Sequence, residues 1–120
     1  MKSFSKKTTK DNLYKEYVMI LNGVLQLSYR EAEVFALLLK LNDEWAEVVA
    51  NSNNILSTDI RKKIMNDTRI TKTNLVKYIR VLREKNILIP NEFGGWSVNE
   101  TFVPYFTGGI NETVFILDAE

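Results

Sequence analysis

Nine cations fall between residues 57 and 90: Arg61, Lys62, Lys63, Arg69, Lys72, Lys77, Arg80, Arg83 and Lys85. Only Asp59, Asp67 and Glu84 oppose them, a local balance of +6 in a chain whose formal net charge is +1. The rest of the chain compensates. Residues 91–120 hold five acids and no Lys or Arg, residues 11–56 run at −4, and the first ten residues add four lysines. A basic segment inside a near-neutral chain is the footprint of polyanion binding, provided that folding gathers the cations on one face.

Other chemistries lack their parts. The sequence has no cysteine and no histidine, so thiolate zinc sites, Ser-His triads and imidazole acid-base catalysis cannot be assembled within it. The fifteen Asp and Glu residues form no tight motif of the kind that holds magnesium or cleaves glycosides. A non-enzymatic protein without metal or cofactor is expected. The longest apolar runs, such as Val34 to Leu39, are too short for a membrane span, and the lysine-dotted start lacks the apolar centre of a secretory signal. These features predict no membrane association and a cytoplasmic location.

The elements that must position the cations are legible as periodicity and punctuation. At 120 residues the chain suits one domain. Residues 1–10 are polar and basic and read as a flexible arm; residues 11–120 read as the domain, with a core motif over 28–98 and an extension over 99–120. Leu13, Tyr17, Ile20, Leu21 and Val24 recur at helical steps, predicting a helix from Asp11 or Asn12 to about Asn22-Gly23. Ser28 and Glu31 fit a capping box. They open a second helix with so broad an apolar stripe, Ala32 to Leu41, that it should be a central core helix. Trp45, Val48 and Val49 extend it or form a short turn. Asn51 to Asn54 is a loop, Ile55-Leu56 a very short strand, and Ser57 or Thr58 the cap of a helix burying Ile60, Ile64 and Met65. Asn66 to Arg69 breaks that helix. Thr71 caps the next, which buries Leu75, Ile79 and Leu82 and ends at Asn86. Ile87–Ile89 and Trp96–Val98 then read as a hairpin around Gly94-Gly95, and Thr113–Leu117 as a final strand. The fold class predicted is mainly α with a small β-hairpin (α+β).

Helix, short strand, helix, turn, helix, hairpin is the order of a winged helix-turn-helix. The stretch from Ile70 to Leu88 resembles the reading helix and first wing strand of that superfamily, where a hydroxyl cap precedes the helix and Glu-Lys-Gly-Leu leads into the wing. Here Asn86 stands in place of the glycine, and Asn also accepts positive φ. The whole chain resembles small winged-helix proteins encoded by bacteriophages, through Leu27–Val34 and Pro104-Tyr105-Phe106. A second resemblance, to plasmid replication initiators, is carried by Trp96–Asn99 and Phe102. The resemblance implies a winged helix-turn-helix with an extra N-terminal helix and a C-terminal strand. It also implies a sequence-specific double-stranded DNA-binding protein that regulates phage or plasmid transcription or replication in a bacterial cytoplasm.

If Leu75, Ile79 and Leu82 point inward, helical spacing turns Lys72, Thr73, Val76, Lys77 and Arg80 outward. The residues at the start of a helix in the major groove lie nearest base edges. Lys72, Thr73, Val76 and Lys77 are therefore the base-proximal candidates, and Arg61, Lys62, Arg69, Arg80 and Arg83 the phosphate anchors. Asn91 and Phe93 mark a possible wing tip. Two features depart from the superfamily: the loop Asn91–Gly95 has no cation, and Asn66 to Ile70 is longer than the tightest three-residue turn. The acidic C-terminal quarter and an apolar Phe93 also suit an adaptor that docks on a host or phage polymerase, replication complex or nuclease. A homodimer through the N-terminal helix, with Tyr14, Tyr17 and Val18 at its interface, is the expected assembly.

Overall fold

The computed structural model describes residues 2–4, 10–107 and 113–116, with side-chain surroundings for 12–104. In chain order the elements are β1 (Lys2–Phe4), α1 (Lys10–Leu25), α2 (Tyr29–Glu44), α3 (Ala46–Ser52), α4 (Thr58–Thr68), α5 (Lys72–Glu84), β2 (Leu88–Pro90), β3 (Trp96–Val98), a 3-10 turn (Glu100–Phe102), β4 (Tyr105–Thr107) and β5 (Thr113–Ile116). The chain is mainly helical with a small antiparallel hairpin, an α+β fold. No described helix is long and apolar enough to cross a membrane.

α2 is the hub. Val34, Phe35, Ala36, Leu38, Leu39 and Leu41 are all buried, because α2 packs against α1, α3, α4, α5 and β3. Its start is the predicted capping box: Glu31 N–H donates to Ser28 Oγ at 3.3 Å and Ser28 N–H to Glu31 Oε1 at 2.9 Å. α1 runs two residues beyond the predicted end, through Gly23, and stops where Gln26 turns left-handed at φ 56°. Asn22 does not break the helix. Its carboxamide accepts from Leu27 N–H at 2.6 Å and donates to Leu27 C=O at 3.0 Å, fixing the turn into α2.

The predicted homodimer residues are corrected here. Tyr14, Tyr17 and Val18 are buried at 5%, 1% and 1% exposure and belong to the α1–α2 core, so they cannot meet a second molecule. Tyr17 donates its hydroxyl to Phe102 C=O at 2.7 Å, and burial pushes the phenol up from 10 to about 12. The sign follows: the native state holds the proton more tightly than the unfolded chain, so this contribution is complete below pH 10 and is lost as pH climbs towards 12. Thermal melts between those limits should show a shallower alkaline loss for Tyr17→Phe than for the wild type, and equal slopes would exclude the effect.

Two further departures from the sequence reading concern the ends. The stretch read as a basic arm contributes β1 at residues 2–4, which pairs antiparallel with β5, and β5 pairs with β4. The predicted final strand is thus β5, with Leu117 and the Gly108-Gly109 break outside the described residues, as are residues 5–9 of the arm.

Candidate nucleic-acid interface

Three devices set the α4–α5 pair. Thr68 turns its hydroxyl back to donate to Ile64 C=O at 2.6 Å and accepts Ile70 N–H at 3.2 Å. Arg69 then takes the left-handed conformation, φ 60°, and closes α4. Ile70 is buried, and Thr71 caps α5 by accepting Asn74 N–H at 3.3 Å. The link between the helices is therefore Arg69-Ile70-Thr71, three residues, and not the longer break read from Asn66 onward. Asn66 and Asp67 stay helical because Lys63 holds Asp67 at 3.2 Å and Thr68 satisfies the last turn. An arginine in the left-handed region carries backbone strain of about 1–2 kcal/mol, so Arg69→Gly should hold stability level or raise it by up to about 1 kcal/mol despite the glycine entropy. A drop in melting temperature would refute that account.

α5 ends in a Schellman motif. Asn86, φ 60°, donates to Arg83 C=O at 3.1 Å and Ile87 to Leu82 C=O at 3.0 Å, while Leu82 and Ile87 meet in the core. Asn86 fills the glycine position as expected, and the chain turns directly into β2.

β2 and β3 pair in the register Leu88↔Val98, Ile89↔Ser97 and Pro90↔Trp96. The predicted strand at Ile55-Leu56 is reduced to one rung: Ile55 N–H donates to Trp96 C=O at 2.9 Å, and Trp96 N–H to Asn54 Oδ1 at 3.1 Å. This ties the start of α4 to the outer edge of the hairpin. Gly95 makes the approach possible, since a Cβ there would stand 2.2 Å from Asn53 O.

The cations divide into two sets. Arg61 is half-buried and donates Nε to Leu56 C=O at 2.8 Å. Lys63 bonds Asp67 and lies 6.0 Å from the Trp45 ring. Arg83 stacks on Trp96 at 4.3 Å, and Lys85 Nζ donates to Leu25 C=O at the end of α1 at 2.7 Å. By contrast Lys62, Arg69, Lys72, Lys77 and Arg80 are exposed, with no ion pair among the described residues.

Contiguity joins most of them. A groove of about 640 Å³ between α4 and the first turn of α5 is lined by Leu56, Ser57, Arg61, Lys62, Lys72 and Val76 among others. Lys72 and Val76 also line the next concavity, with Thr73, Lys77 and Arg80. Arg80 lines a third, with Arg83, Pro90 and Trp96. One surface thus runs from α4 along α5 to the base of the hairpin, and it holds all four base-proximal candidates and four of the five phosphate candidates. Arg69 stands at the turn, outside these concavities.

The wing-tip pair splits. Phe93 is 67% exposed at the tip. Asn91 is half-buried and folds the loop from within: its Oδ1 accepts Phe93 and Gly95 N–H at 2.9 and 3.0 Å, and its Nδ2 donates to Asn53 C=O and Ser97 Oγ at 2.8 and 3.1 Å. With its amide occupied, Asn91 is a loop organiser. The sequence reading missed this, as it missed Lys85 as a latch; the Asn-x-x-Gly-Gly spacing is the available signal for the first, and nothing local signals the second.

Comparisons with protein-family models, curated proteins and solved structures give no match to this chain.

Proposed function

We propose that the chain is a sequence-specific double-stranded DNA-binding protein of winged helix-turn-helix type, reading the major groove with α5 and serving as a regulator of transcription or replication, as in a phage or plasmid. The observation that carries this reading is the continuous cationic surface from Lys62 through Lys72 and Lys77 to Arg80, on two helices joined by three residues. The rung between Ile55 and Trp96 supports the winged arrangement. Lys72, Thr73, Val76 and Lys77 face the bases, where Val76, 41% exposed, offers a methyl-to-methyl contact with thymine and the lysines reach guanine acceptors. Lys62, Arg80 and the outer edges of Arg61 and Arg83 meet phosphates. The hairpin loop is short, carries Glu92 and no cation, and contributes little to duplex affinity.

Counterion release sets the test. If roughly five phosphates are neutralised, the slope of log K against log salt is about −4.5, and affinity for a duplex falls roughly 500-fold between 50 and 200 mM salt. Fluorescence anisotropy with a labelled duplex measures it. A chain that binds no duplex at low salt, or binds with a flat salt response, overturns the reading and leaves the docking role that exposed Phe93 would suit.

A further inference from the structure

The outward face of α1 is apolar and uncovered. Met19 is 74% exposed, Val24 84% and Ile20 43%, and Tyr29 at the start of α2 is 81% exposed. Scattered apolar side chains on a surface need no account, but these adjoin along one helix face at three-, four- and five-residue steps. Within that face stands Gly23, in the body of α1, with nothing within 4 Å of where a Cβ would be. An alanine would fit there and would stabilise the helix by about 0.5–1 kcal/mol. No packing partner among the described residues accounts for the glycine. A second helix crossing at this point does, because absence of a Cβ lets two backbones approach more closely than the usual 8–10 Å or so between axes.

We propose that this face docks a second copy of the chain, two α1 helices crossing antiparallel about a two-fold axis near Gly23. Charge favours this occupant. The rim holds both signs side by side, Lys15 next to Glu16 at one end and Arg30 bonded to Glu33 at 2.6 Å at the other. A lipid surface or a polyanion calls for a basic rim, whereas an isologous contact asks only that the patch match its own image. α1 spans 16 residues, about 24 Å, so the contact is smaller than the roughly 800 Å² per partner of a standard interface. The dimer is consequently weak and concentration-dependent. This inference does not rest on the DNA reading, and its test contains no DNA.

Sedimentation equilibrium between roughly 10 µM and 1 mM covers the range of a weak dimer. The wild-type mass should climb from 13.9 kDa towards twice that value. Val24→Glu, at an exposed position, should keep native circular dichroism and remain monomeric throughout. Gly23→Ala gives the sharper signature, since it should raise the melting temperature yet weaken association at least about fivefold by putting a methyl into the close approach. A wild-type chain that stays monomeric to the highest concentration overturns the proposal, including one that instead co-sediments with anionic vesicles. So does association that survives Val24→Glu, or that Gly23→Ala leaves undiminished.

Discussion

The double variant Lys77→Glu Arg80→Glu should lose duplex affinity by about 100-fold or more while keeping its fold. Each charge-assisted contact to phosphate or base contributes about 1.5 kcal/mol or more, and two together reach about 3 kcal/mol, slightly over two decades in Kd. The salt slope should flatten by about 1.8, two contacts at about 0.9 each. Both side chains are exposed and make no ion pair among the described residues, so stability should change by less than about 0.5 kcal/mol each. The choice of residues matters. Arg83→Glu would also break the stack on Trp96, and Lys85→Glu would release Leu25 C=O, so either loss of binding could come from a displaced α5. Unchanged affinity and slope in the Lys77→Glu Arg80→Glu protein would remove α5 as the reading helix.

The second large effect is on stability. Phe35 is completely buried at the centre of α2 and meets Phe102 edge to face, ring centroids 6.5 Å apart at 89°. Phe35→Ala removes the largest side chain at the point where α1, α2 and the 3-10 turn converge. The loss of transfer energy plus the cavity should cost about 3–5 kcal/mol, with the aromatic pair accounting for about 0.5–1.5 kcal/mol of it. Since small domains hold only about 5–15 kcal/mol in total, the melting temperature should fall by roughly 10–25 °C at a few degrees per kcal/mol. Far-ultraviolet circular dichroism on heating measures the shift. A fall of only a degree or two would mean that the hub lies elsewhere.

How much of this was legible beforehand depends on the range of the interaction. The Ser28–Glu31 capping box, the Thr71 cap and Asn86 at the end of α5 were all readable, because each is an exchange between groups a few residues apart. The breadth of the apolar stripe marked α2 as the hub, since a helix touched on several sides must be apolar on several sides. The α4–α5 link was misread for the same reason in reverse. Asn66 and Asp67 have weak helix preference, and it took the Thr68 back-bond and the Lys63–Asp67 pair to hold them helical to Thr68. The assignment of Tyr14, Tyr17 and Val18 to a dimer face failed because periodicity marks an apolar face without stating what covers it; α2 covers that one, and Met19, Ile20 and Val24 are left outside.

The sequence by itself determined the order and kind of the elements, the absence of thiol and imidazole chemistry, and the +6 excess over residues 57–90, all properties of local composition and spacing. Tertiary structure alone decided which cations share a surface. Lys62, Lys72, Lys77 and Arg80 come together, whereas Arg61, Lys63, Arg83 and Lys85 are drawn onto Leu56, Trp45 with Asp67, Trp96 and Leu25. Lys85 and Leu25 are 60 positions apart, and no local pattern in a chain records a contact at that separation. Only the packing of α1 and α5 against α2 brings the two together, and it is that packing which leaves the remaining cations on one open face.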